Sequence, residues 1–78
     1  MFFKAKRLEQ QKTKLQKRVG SLSTEELFMW ADQATYSAGR NLSTWQKTSE
    51  KFYLKEAKLA AESLYAITDE LTKRHTSG

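Results

Sequence analysis

Two runs of apolar residues at a three-and-four spacing, one from Leu27 to Trp45 and one from Tyr53 to Leu71, follow each other with little more than Thr48-Ser49-Glu50 between them. Apolar groups at that spacing fall on one face of an α-helix, whereas a half-buried strand would need strict alternation. A connection this short obliges neighbouring helices to lie antiparallel. The chain is therefore expected to be all-α and to be organised around a long helical hairpin. The absence of proline and the presence of only three glycines agree with continuous helices.

On the first helix of the hairpin, Leu27, Trp30, Ala31, Ala34, Ala38, Leu42 and Trp45 share a stripe. On the second, the stripe is Tyr53, Ala57, Ala60, Ala61, Leu64, Ile67 and Leu71. Each stripe has the width of a face packed on a core. Alanines occupy the middle of both, so the two axes are expected to approach closely there, with the indoles filling space nearer the ends. Gly39 interrupts the first stripe but does not shift its phase, so a continuous helix is expected, with a kink at Gly39 as the alternative. Ser43-Thr44-Trp45-Gln46 offers a second possible helix start.

The hairpin's beginning is marked by Ser23-Thr24-Glu25-Glu26, a capping-box pattern in which the serine oxygen and the glutamate satisfy first-turn N–H groups reciprocally. Leu22 and Leu27 flank it as a hydrophobic staple. Gly20 lies just before, where a left-handed glycine would close a preceding helix. That preceding helix is expected near residues 2–19, on a thin seam of Ala5, Leu8, Leu15, Val19 and Leu22 interrupted by Lys12. So few large groups leave an isolated helix marginal. The segment is expected to dock on the hairpin as the third helix of a bundle, to pair with its copy in a dimeric helical assembly, or to remain an arm. The chain thus divides into a basic N-terminal helix or arm, 1–20, and a hairpin body, 21–78.

Charge follows the same division. Residues 1–20 carry Lys4, Lys6, Arg7, Lys12, Lys14, Lys17 and Arg18 against Glu9 alone, a net of +6, while residues 21–78 sum to −1. A basic segment on a nearly neutral body suits contact with nucleic-acid phosphates or with an anionic membrane surface. Those charges spread around the helix rather than forming one strip, and no helix-turn-helix spacing is evident. Membrane-surface binding would rely on Phe2 and Phe3 beside the lysines, a weak anchor. The opening Met1-Phe2-Phe3-Lys4 lacks the apolar run of a secretory signal, and no segment approaches the ~20 apolar residues of a membrane span, so a cytoplasmic protein is expected.

No catalytic pattern is present. The single histidine, His75, stands four residues from the end of the sequence, beside Lys73 and Arg74, where cations complement a helix C-terminus. There are no cysteines, no phosphate-binding glycine loop and no clustered acids for a metal. Neither an enzyme nor a cofactor is expected. What remains unexplained is apolar surface off the two stripes. Met29 and Tyr36 point away from the hairpin core, and Phe52, Leu59 and Ala66 form a second line at sevenfold spacing. Contiguous exposed apolar groups on a small protein call for a cover. The expected function is that of a non-enzymatic regulator or assembly factor binding a protein partner, or its own copy, through these faces. Nucleic-acid binding and peripheral membrane binding are the alternatives.

Overall fold

A computed structural model describes residues 13–77. The expectations placed on Phe2, Phe3, Lys4, Lys6, Arg7 and Lys12 lie outside the described residues. The described chain is all-α, with α1 at Lys14–Gly20, α2 at Thr24–Thr48 and α3 at Lys51–Ser77. The two long helices form the antiparallel hairpin. No helix among the described residues is long and apolar enough to cross a membrane.

The local signals explain where each helix begins. The Ser23 hydroxyl accepts from the Glu26 N–H at 3.1 Å, and the Ser23 N–H donates to the Glu26 carboxylate at 2.9 Å, completing the capping box. Thr13 and Gln16 make the same reciprocal pair at 3.1 and 3.0 Å. Thr13 itself is extended, with φ −68° and ψ 166°, so the expected helix near 2–19 does not run through this residue: α1 begins at Lys14, and residues 2–12 lie outside the described residues. The Thr-x-x-Gln signal was present in the sequence, but the longer apolar spacing concealed it.

The turns also differ from expectation. Gly20 is the last residue of α1 rather than a left-handed cap, and neither it nor Gly39 has positive φ. The Ser21 N–H closes the helix by donating to the Arg18 carbonyl at 3.1 Å, and the Ser21 hydroxyl donates to the same oxygen at 2.8 Å. The left-handed residue is Ser49, with φ 58° and ψ 20°, whose N–H donates to the Trp45 carbonyl at 2.7 Å. Serine in this region carries a steric cost of ~1 to 2 kcal/mol. It is the conformation that turns the chain back into α3 within two residues. Gly39 is absorbed within α2, and a Cβ built there meets nothing within 4 Å.

Burial is concentrated at one end. Val19, Leu27, Ala66 and Ile67 form the buried cluster, with Leu15, Leu22, Trp30, Ala31 and Leu71 packed around it. Three helices meet there. Thr13, Leu15 and Gln16 lie beside Lys58, Ala61, Glu62, Tyr65 and Ala66, while Gly20 lies beside Glu70, so α1 runs in the same direction as α3. Towards the Ser49 turn the described residues supply only two helices, and the buried seam there consists of Ala34, Ala57 and Ala60. Ala66, expected on an exposed line, is 3% exposed because Val19 and the rest of this cluster cover it. Ala61 and Leu42, expected in the core, are exposed, since the start of α1 reaches only the neighbourhood of Ala61 and no helix among the described residues lies over Leu42.

One cation ties the three-helix end together. Arg74 donates from Nη2 to the Leu22 carbonyl at 2.6 Å and to the Val19 carbonyl at 3.4 Å, and from Nη1 to the Thr24 hydroxyl at 3.0 Å. Its Nε is held by the Glu70 carboxylate at 2.9 Å, one helical turn earlier. The position was expected to complement the dipole of its own helix. It instead satisfies carbonyls at the end of α1 and in the turn to α2, a geometry that needs the rigid planar fork of arginine.

Arg74→Ala is therefore expected to lower the unfolding free energy by roughly 1 to 3 kcal/mol, because charge-assisted bonds to partly buried carbonyls are lost. Arg74→Lys should recover little, since one ammonium cannot reach all three oxygens together. Urea denaturation checks both, and an unchanged midpoint for Arg74→Ala would contradict the assignment.

Candidate functional site

The half of the hairpin near Ser49 has the features of a binding face because of what the sequence places beside its alanine seam. Ala38 and Leu42 on α2 and Leu54, Ala57 and Ala61 on α3 line an open groove of about 570 Å³. Lys51, Lys55 and Lys58 edge it, and no acidic side chain among the described residues lines it. Leu42 and Leu54 are 43% and 41% exposed, so each is only partly removed from water. Small floor residues make the groove shallow and accessible, and the two leucines supply its apolar walls.

The groove continues towards α1. A second hollow, lined by Thr13, Leu15, Gln16, Glu62, Tyr65 and Ala66, shares Lys58 and Ala61 with the first. The hollows thus form one trough along α3, ending against the start of α1. Across the seam, a smaller and more polar hollow lies between Trp30, Gln33, Ala34 and Ser37 of α2 and Glu56, Leu59, Ala60 and Ser63 of α3.

The residues singled out from the sequence are scattered around these features. Met29 and Tyr36 are exposed on α2, and the Tyr36 hydroxyl accepts from Arg40 Nη1 at 3.0 Å beneath a guanidinium 5.9 Å from its ring. Phe52 and Leu59 are exposed on α3, with the Phe52 ring edge-on to Tyr53 at 5.3 Å between centroids. Ala66 does not extend their line, being buried. Lys14 and Lys17 are exposed, whereas the Arg18 guanidinium lies 5.2 Å over the Trp30 ring. Arg18 thus helps to fasten α1 to α2. Lys4, Lys6, Arg7 and Lys12 lie outside the described residues. No group of three His, Asp or Glu side chains among the described residues is arranged to hold a metal.

The sequence stripes do not reveal the trough, because they place Ala61 and Leu42 in the core and leave Leu54 off both. A signal was available. Leu54, Ala57, Ala61 and Tyr65 keep a three-and-four spacing, and Lys51, Lys55 and Lys58 follow the same spacing on their flank. A stripe that broad serves two neighbours, and the hairpin supplies only one.

This placement separates two alanines that the sequence treats alike. Ala34→Leu should overpack the seam and destabilise by ~1 to 3 kcal/mol. Ala61→Leu should be tolerated, because its side chain extends into the trough. Thermal denaturation of the two variants checks this, and equal losses would contradict the open trough.

The chain matches no known family, no curated protein and no solved structure.

Proposed function

We propose that this chain is a non-enzymatic interaction protein that docks a protein partner on the two-helix half of its hairpin. The observation carrying this reading is the incomplete layer. Three helices enclose Val19, Leu27 and Ile67 at one end, while Leu42 and Leu54 remain partly in water at the other, beside an apolar trough. Completing the burial of each leucine would contribute on the order of 1 kcal/mol, by the usual area scaling. A partner that supplies the third layer gains this from a surface already held in place, with little ordering cost on this side.

The nucleic-acid reading has less support. Of its seven cations, Lys14, Lys17 and Arg18 are described, and Arg18 is engaged with Trp30. Phosphates would gain nothing from the apolar floor of the trough.

The test is quantitative capture from an extract of the source cells by the wild-type chain and by Leu54→Gln. A protein retained in near-stoichiometric amount by the wild type and at least tenfold less by the variant, with matching circular dichroism for the two baits, is the expected outcome. Identical retention by both baits would contradict docking at this face.

A further inference from the structure

We infer that the trough takes an amphipathic helix whose apolar stripe is edged by carboxylates. The inference rests on the docking reading above and deepens it by naming the partner's chemistry. The trough's length and floor indicate a helix. It follows α3 from Lys51 to Tyr65, fourteen residues apart and so about 21 Å at the α-helical rise. Alanines at Ala38, Ala57 and Ala61 leave room for a third axis at the ordinary packing distance of about 8 to 10 Å. The trough stops where α1 begins, so an incoming helix would continue the layer that α1 starts.

Charge selects the acidic partner. Lys51, Lys55 and Lys58 repeat at the spacing of one helix edge, and none forms an ion pair among the described residues. The ion pairs of α3 lie at its other end, joining Asp69 to Lys73 and Glu70 to Arg74. Glu56 lines the opposite hollow, whereas Glu62 stands at the α1 end of the trough, one turn beyond Lys58, so the cationic edge is the stretch from Lys51 to Lys58. A ligand in the trough therefore meets three cations whose alkyl stems extend the apolar wall and whose ammonium groups remain in water. The chain's own residues 1–12 fit this edge poorly, since they bring Lys4, Lys6, Arg7 and Lys12 with only Glu9. Complementary rim charge acts on partner choice and association rate more than on raw affinity, so the test compares partners of opposite charge.

Two amidated helical peptides sharing one leucine and alanine face, flanked by glutamates in one and lysines in the other, would be titrated into the full-length chain by fluorescence anisotropy. Amide shift mapping would locate them. The glutamate peptide is expected to bind at least tenfold tighter, with shifts concentrated at 38–42 and 51–65. The combined variant Lys51→Glu, Lys55→Glu, Lys58→Glu, folded by circular dichroism, should reverse the preference. Equal affinities would overturn the acidic partner while leaving the apolar docking face intact. Failure of both peptides would overturn the helix inference, and the capture comparison with Leu54→Gln would decide separately whether the docking reading also falls.

Three further results would assign the trough to another occupant and overturn the inference. One is lysine-dependent binding of phosphatidylglycerol vesicles that occludes the same amides. Another is a doubled solution mass that Leu54→Gln returns to the single chain. The third is broadening of trough amides by a nitroxide on Phe3→Cys, a label made specific by the absence of native cysteine.

Discussion

The guanidinium of Arg74 joins parts of the chain fifty or more residues apart, binding the carbonyls of Val19 and Leu22 and the hydroxyl of Thr24 from the last turns of α3. Without it, a helix of seven residues would have little to hold it. Such a helix is far below the length at which helices persist alone in water. Arg74 satisfies carbonyls left open by the turn, Glu70 holds Arg74 in place, and Arg18 lies over Trp30 on the other side. These contacts let Val19 reach the space between Leu27 and Ile67, and burial of those three side chains gives this end its stability.

The other end follows from the shortness of α1. It covers α3 only as far as the neighbourhood of Lys58 and Ala61, and beyond that the hairpin is a pair held by an alanine seam. Alanines bring the two axes close but bury little area each. Larger groups that would normally fill a core, Leu42 and Leu54, stand at the margin. One molecule thus combines a locked end with an unfinished end, and the unfinished end carries a lysine edge that forms no ion pair among the described residues. The proposed role uses this contrast: the locked end fixes the geometry, and the open end offers it to a partner.

The fold class, the hairpin and the Ser23 capping box were legible because each depends on residues close in sequence. Periodicity identifies a stripe, and a serine three residues before a glutamate identifies a helix start. What was not legible depends on the third helix. A wheel of α3 puts Ala61 on the core stripe and Ala66 on the outer line, yet Val19 helps to bury Ala66 while Ala61 stays exposed. Arg74 reads as a helix-end cation until the turn to α2 is placed beside it. The start of α1 is hidden for a different reason, since the Thr13 and Gln16 cap lies within a longer, weaker apolar spacing that runs through it. Gly20 shows the limit of residue type as a guide, because the left-handed turn falls on Ser49 instead.

The central claim is that stability is graded from the Arg74 end to the Ser49 end. Native-state hydrogen exchange of the full chain measures this residue by residue, because amides in well-packed segments open only with global unfolding while thinly packed ones open locally. The strongest protection is expected around Leu27 to Ala34 and Ala60 to Leu71. Weaker protection, by tenfold or more, is expected from Leu42 to Thr48 and from Leu54 to Ala57. Uniform protection along the hairpin, or the reverse gradient, would contradict it.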